Sequence, residues 1–230
     1  MARAQSPIDS YVERGSKRVF AGAVDWPGWC RSGRDEATAL EALIDYAHRY
    51  ADVVRGIRPA FPAPKAPAAL RVIERLKGDA TTDFGAPSKA PRADSRPMSA
   101  RDFSRQLTIL RACWAAFDRA AVAARGVELS KGPRGGGRNL ESIVGHVVGA
   151  ESGYLRTLAT TPPELDDDPF VATEGSRQAV VDAITRAVTE GLPTAGPRGG
   201  KIWTPRYFVR RVSWHTLDHA WEIQDRAAVK

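Results

Sequence analysis

The chain has 230 residues, enough for one large domain or two small ones, and 43% of them are hydrophobic, which is sufficient to build a core. The formal net charge of +7 brings nucleic acid into consideration, but lysine and arginine never form a block of five, so we do not expect nucleic acid as a partner. No apolar run approaches the roughly 18 residues of a membrane helix, and the N-terminus lacks an apolar signal-peptide core, which predicts a cytoplasmic protein with no membrane partner.

Strands and a helix are predicted in the first part of the chain. Residues 17–24 form a β-prone run, residues 25–28 form a turn containing Pro and Gly, and residues 29–32 can return as a second strand. Asp35 is a suitable N-cap for a helix, and the apolar face of that helix ends near Gly56.

Two proline-rich segments follow. Residues 59–68 contain four prolines and cannot be helical, while residues 69–76 have the β-branched character of a third strand, with a helical turn as the alternative. Residues 85–97 are again rich in Pro, Ala and charge, which is typical of a linker. The sequence thus predicts a small α+β module of ββαβ order over residues 1–84 and a second domain over residues 98–230.

Four amphipathic helices are predicted in the second domain. The first begins after Ser99, a suitable N-cap, and the others cover about 138–159, 173–190 and 204–228. Gly/Pro-rich loops join them, and the loop at 160–170 is long enough to cross over. This pattern predicts a mostly α protein built on a four-helix bundle.

A short repeat, Gly-Pro-Arg-Gly-Gly, occurs at residues 132–136 and 196–200, each time before a histidine-bearing helix. Its backbone amides and arginines suit an anionic ligand at a helix N-terminus, but two loops of biased composition are the simpler interpretation. The spacing differs from that of a P-loop.

The two cysteines, Cys30 and Cys113, lie far apart and form no CxxC pair. Zinc-ribbon and thioredoxin-type folds therefore have no support. We expect two reduced, buried thiols.

Three of the four histidines lie on the second and fourth predicted helices of this domain. His215 and His219 are four residues apart, so their imidazoles point the same way and can share a metal ion. His146 lies on a small-residue helix and would supply a third ligand, leaving open coordination positions as catalytic metals require. Close helix packing is an alternative explanation for the small residues.

Charged side chains share the histidine face of the last helix. At about 100° per residue, Glu222, Asp218 and Arg211 all fall near His215. Burying such charges is costly unless they are paired or bind a ligand. We expect Glu222 and Asp218 to accept a hydrogen bond from a ring N–H and fix its tautomer, with pairing of Glu222 to Arg226 or Arg211 as the alternative.

The run of residues 207–222, with the pattern W-H-x-x-D-H-x-W-E, resembles the last helix of the DinB/YfiT-like bundle superfamily, and residues 139–146 resemble its second helix. The resemblance covers about residues 98–228 and implies an up-down-down-up four-helix bundle. By motif match it implies that the three histidines bind a divalent metal. Several members are thiol-dependent transferases or isomerases that use mycothiol or bacillithiol, and many have no known activity.

Residues 20–40 resemble the strand–Pro-Gly–strand–helix core of HicB-type antitoxins. The chain departs from antitoxins where a DNA-binding tail is expected and carries the bundle instead, so DNA binding is not carried over. We interpret the front module as a cap or a dimerisation element, which makes a homodimer one expected arrangement.

These observations lead to the hypothesis of a metal-dependent enzyme, a transferase or isomerase with a small-molecule substrate and a low-molecular-weight thiol cofactor. Zn²⁺, Ni²⁺ or Fe²⁺ would occupy the three-histidine site. Glu222 and Asp218 would orient ligands, and Arg211 would meet a carboxylate on the substrate or the thiol. The alternatives are a non-catalytic regulatory or antitoxin-like module that binds a protein or nucleic acid, and a structural metal protein.

Overall fold

The computed structural model describes residues 6–131, 137–196 and 199–228. This part of the chain is mostly helical, with a small four-stranded sheet near the N-terminus. None of its helices is both long enough and apolar enough to cross a membrane. The Gly-Pro-Arg-Gly-Gly repeat at 132–136 lies outside the described residues, as does part of the repeat at 196–200.

The sheet has the strand order β3-β2-β1-β4. Antiparallel pairs join β1 to β2 and β2 to β3, whereas β4 runs parallel to β1. The strands are β1 (Ile8–Arg14), β2 (Val19–Ala23), β3 (Cys30–Gly33) and β4 (Leu70–Lys77).

Strand β1 was not predicted, so the expected ββαβ order lacks one strand. Its pattern is hidden because Ser10 and Glu13 are buried beside Tyr11 and Val12, which removes the alternation of apolar and polar residues. The Glu13 carboxylate is stabilised there by backbone and hydroxyl donors, including the Ser88 amide at 2.9 Å. β4 confirms the strand interpretation of residues 69–76, because its residues alternate between exposed and partly buried.

Two helices, α1 (Glu36–Asp45) and α2 (Ala47–Val53), occupy the region predicted as one helix. Asp35 caps α1 as predicted, accepting a hydrogen bond from the Thr38 amide at 2.8 Å. A short helix, α3 (Ala80–Phe84), follows β4.

Four long helices complete the described chain: α4 (Ala100–Ala123), α5 (Leu140–Leu155), α6 (Pro169–Thr189) and α7 (Pro205–Ala228). Ser99 caps α4 as predicted. Helix α6 begins four residues earlier than predicted because Asp168 caps it and Pro169 suits the first helical position. All four helices contribute to one apolar cluster, which includes Leu110, Trp114, Leu155, Val180, Phe208 and Val212.

The sheet and the helices also share a core. Trp29 and Leu43 from the first part lie in one buried cluster with Cys113 of α4 and Leu217 of α7. Both cysteines are free and buried, as predicted.

A buried ion pair joins α7 to the segment before α4. Arg210 donates from Nε and Nη2 to the Asp94 carboxylate at 2.7 and 2.8 Å, and from Nη1 and Nη2 to the carbonyls of Ala23 and Val24 at 2.6 Å. Asp94 lies within residues 85–97, where we predict the linker. The segment therefore contacts α7 through a buried ion pair. The division of the chain into two domains stays a prediction.

Candidate metal centre

Three histidines from two helices converge. His215 and His219 of α7 are buried, and His146 of α5 is partly buried. One ring nitrogen from each lies within 4.8 Å of the other two, and the ring centroids are 4.6–5.0 Å apart. Helical spacing brings His215 and His219 to one side of α7, and packing of α5 on α7 supplies the third ring.

The closest pair fits a shared ligand. The Nε2 atoms of His146 and His215 are 3.1 Å apart. A tetrahedral ion about 2.0–2.1 Å from each nitrogen would hold two of them about 3.3 Å apart. A hydrogen bond between two neutral rings accounts for the same distance, so metal content is the deciding measurement.

The environment favours neutral imidazoles. Burial, followed by the charges of His219 and Arg138, lowers the pKa of His146 to about 4. Burial, followed by His219 and Arg211, holds the pKa of His215 well below its ordinary value. The neutral ring is the form that binds a metal, so the rings of His146 and His215 are both in the metal-binding form at pH 7.

Glu222 holds His219 in place. Its Oε2 lies 2.7 Å from Nδ1 of His219, and its Oε1 accepts from Nη1 of Arg226 at 2.8 Å. The hydrogen bond and charge of His219, together with Arg226, lower the pKa of Glu222 to about 2. Arg226 also donates to the carbonyls of Ser130 and Arg138. With Nδ1 donating to the carboxylate, Nε2 of His219 is left to bind a ligand.

Asp218 is not brought to the histidines. It accepts a hydrogen bond from Nη1 of Arg31 at 2.8 Å and so ties α7 to β3. The Arg31 guanidinium also lies over the Tyr46 ring at 3.9 Å. The helical angle places Asp218 at the edge of the histidine face. The sheet packs against that edge of α7, so Asp218 pairs with Arg31 and does not bind an imidazole.

Arg211 lies beside the centre. Only 9% of the residue is exposed, and its Nη1 has no hydrogen-bond partner among the described residues. The guanidinium carbon is 4.6 Å from the Trp214 ring centroid and 5.3 Å from that of Tyr154. The Tyr154 ring is in turn 6.0 Å from that of His215.

Sequence reasoning missed Tyr154 as part of the site. Tyr154 lies eight residues after His146 on α5, which places it about 80° around the helix from His146. An aromatic residue that close to the histidine face is the signal that could have identified it. Trp203, just before α7, packs against it with ring centroids 5.3 Å apart.

Open space lies along α5 next to His146. Gly149 and Gly153 are exposed, and a Cβ atom added at either would meet nothing within 4 Å beyond the backbone of its own helix. A groove of about 430 Å³ between α4 and α6, lined by Trp114 and Phe170 among others, contains none of the histidines.

Two buried nitrogens beside the centre have no described hydrogen-bond partner. Nδ1 of His215 and Nε1 of Trp214 form no hydrogen bond within the described ranges. Neither atom would bind the ion, because it is Nε2 of His215 that faces His146 and an indole N–H only donates. The donor set of three imidazoles fits a divalent ion of the first transition series.

No family model matches this sequence, and comparisons with curated proteins and with solved structures find no match. The likeness to DinB/YfiT-like and HicB-like proteins therefore depends on the motifs within the chain itself.

Proposed function

We propose that this protein binds a divalent metal ion through His146, His215 and His219. The observation that carries the proposal is the convergence of three imidazoles from α5 and α7, two of them with Nε2 atoms 3.1 Å apart. The Glu222–His219 hydrogen bond adds the outer carboxylate that commonly orients a metal-binding histidine.

The centre would suit catalysis on a small molecule. Three imidazoles accommodate Zn²⁺, Ni²⁺ or Fe²⁺ and leave coordination positions for further ligands. A bound ion would lower the pKa of a thiol or water molecule and so supply a nucleophile near neutral pH. Glu222 would keep Nε2 of His219 available, and the aromatic side chains of Tyr154 and Trp214 would limit access of water.

The narrower proposal is a transferase or isomerase that uses a low-molecular-weight thiol of the mycothiol or bacillithiol type. It comes from the DinB/YfiT-like motifs, and the positions of the three histidines on the second and fourth long helices support it. An up-down-down-up bundle with a HicB-like cap, a cytoplasmic location and a homodimeric state belong to the same proposal.

Metal analysis of untagged protein tests the first step. We expect wild-type protein to hold one divalent ion per chain after dialysis against zinc, and His146→Gln, His215→Gln and His219→Gln to lose it. His48→Gln is the matched control, because His48 is the remaining histidine and is exposed. Full metal content in His146→Gln, or none in the wild type, would contradict the three-histidine site.

The thiol proposal has a separate test. Cobalt-substituted protein should change its visible spectrum when mycothiol or bacillithiol is added, because a thiolate ligand introduces charge-transfer bands. An unchanged spectrum would count against a thiol cofactor. Salt-dependent binding of duplex DNA at micromolar protein would instead favour the non-catalytic alternative.

A further inference from the structure

Four arginines of α7 are buried, and three of them are paired with carboxylates. Each of these three also donates to backbone carbonyls, so its charge and its N–H groups are largely satisfied. The pairs are Arg206–Asp102, Arg210–Asp94 and Arg226–Glu222.

Arg211 is the exception on this helix. Every Asp and Glu of the chain lies among the described residues, and none of them forms an ion pair with Arg211. Its Nη1 atom is buried and has no hydrogen-bond partner in the described part of the chain. A buried guanidinium without an anion is unfavourable, so the surroundings of Arg211 are incomplete.

The neighbours of Arg211 compensate only part of its charge. Trp214 and Tyr154 offer ring faces at 4.6 and 5.3 Å, which attract a cation but accept no directed hydrogen bond from Nη1. The same Tyr154 ring lies beside His215. An anion bound by Arg211 would therefore lie near the Tyr154 ring, which is next to the histidine cluster.

We propose that Arg211 binds the carboxylate of a small anionic molecule whose other end reaches the three-histidine centre. A planar guanidinium presents two parallel N–H donors, which match a carboxylate. The position of the second end depends on the proposed metal centre, whereas the carboxylate contact depends on Arg211 alone. The carboxylate belongs either to the substrate or to a thiol cofactor, and both sources have the same chemistry at Arg211.

Cobalt-loaded protein and a pair of thiols test the complete proposal. 3-Mercaptopropionate and 3-mercapto-1-propanol are similar in size and differ in the carboxylate, and thiolate-to-cobalt absorption reports the binding of each. We expect wild-type protein to bind the carboxylate about ten- to a hundredfold more tightly, as a charge-assisted hydrogen bond implies. Arg211→Gln should abolish this preference without changing cobalt content or affinity for the neutral thiol.

Two further variants make the test specific. Arg211→Lys keeps the charge but lacks the planar fork, so it should retain part of the preference. Arg101→Gln removes one positive charge at an exposed position and should behave as the wild type. A preference that persists in Arg211→Gln, or that is lost equally in Arg101→Gln, would overturn the proposal.

Metal-free protein separates this inference from the metal proposal. Propionate should raise the midpoint of thermal unfolding of metal-free wild type relative to sodium chloride at equal ionic strength, and Arg211→Gln should remove the difference. If the wild type binds no cobalt but shows this shift, the carboxylate site stands and the metal centre is wrong. The absence of any shift, together with equal affinity for the two thiols, would refute the carboxylate site. Both sources predict the propionate shift, so a thiol that itself carries carboxylates separates them. Weaker binding of bacillithiol to cobalt-loaded Arg211→Gln than to the wild type would favour the cofactor, and equal binding would favour a substrate carboxylate.

Discussion

The buried pair between Arg210 and Asp94 predicts a large loss of stability when the charge of Asp94 is removed. Asp94→Asn preserves the shape of the side chain but leaves the Arg210 guanidinium without a carboxylate in a site where the two residues are 5% and 2% exposed. Two hydrogen bonds of 2.7 and 2.8 Å change from charge-assisted to weaker or absent ones.

The expected magnitude can be reached in two ways, which describe the same contact as an ion pair and as a set of hydrogen bonds. Breaking a buried ion pair by removing one partner costs about 3–5 kcal/mol. Two hydrogen bonds to a charged group, at roughly 1.5–3 kcal/mol each, give about 3–6 kcal/mol. For a chain of this length, a loss of about 3–5 kcal/mol lowers the unfolding midpoint by roughly 6–20 °C.

Urea and thermal unfolding, followed by far-ultraviolet circular dichroism, would measure this loss. Asp52→Asn is the control, because Asp52 pairs with Arg55 at an exposed position and should change stability by less than about 1 kcal/mol. Arg211→Met is the second comparison: it removes the neighbouring arginine without stranding a carboxylate, so stability should be unchanged or higher by up to about 2 kcal/mol. A loss below about 1 kcal/mol in Asp94→Asn, or equal losses in Asp94→Asn and Arg211→Met, would refute this reasoning.

Three further predictions concern the histidine cluster and the thiols. Glu222→Gln should weaken zinc affinity about 10–100-fold, as loss of an outer-shell carboxylate does, and unchanged affinity in a competition titration would contradict its role. The pKa of His146 is about 4 in the folded protein and near 6.5 in an unfolded chain. Between these two pH values the unfolded chain binds more protons than the folded one, so the stability of metal-free protein should fall as the pH is lowered from about 6.5 to 4. His146→Gln should reduce this fall in stability. If the urea midpoint changes with pH by the same amount in the variant and the wild type, the prediction is wrong. Burial raises the pKa of Cys30 and Cys113 to about 12, so a thiol reagent at pH 8 should label neither until urea unfolds the chain, and rapid labelling of native protein would show that they are accessible.

Local signals made much of the fold predictable. Ser99 and Asp35 cap the helices that they were expected to begin, because capping depends on residues only two or three positions away. Strand β1 escaped prediction because the partners that stabilise its buried Glu13 include the amide of Ser88, 75 residues later. A buried acid with a distant partner cannot be distinguished from an exposed one by periodicity.

The candidate site divides in the same way. The i, i+4 spacing of His215 and His219 is a local property, and the structure brings His146 to them. The expected hydrogen bond from Asp218 to an imidazole depended on which element covers that side of α7, and the structure puts Arg31 there. The lack of an ion pair at Arg211 could not be predicted either, because it depends on where every Asp and Glu of the chain lies in the fold.

The polar residues of α7 show why such a helix can be buried. Arg210 and Arg226 have partners on other segments, so tertiary packing satisfies them whether or not a ligand is present. Five buried side-chain atoms of α7 have no described partner, namely Nη1 of Arg211, Oγ of Ser213, Nε1 of Trp214, Nδ1 of His215 and Oγ1 of Thr216. Arg211 and His215 both lie on the side that faces α5 and Tyr154. If burial alone had shaped this helix, apolar residues at these two positions would be at least as stable. Arg211 carries the one full charge among these five atoms, so the carboxylate proposed above would satisfy the costliest of them.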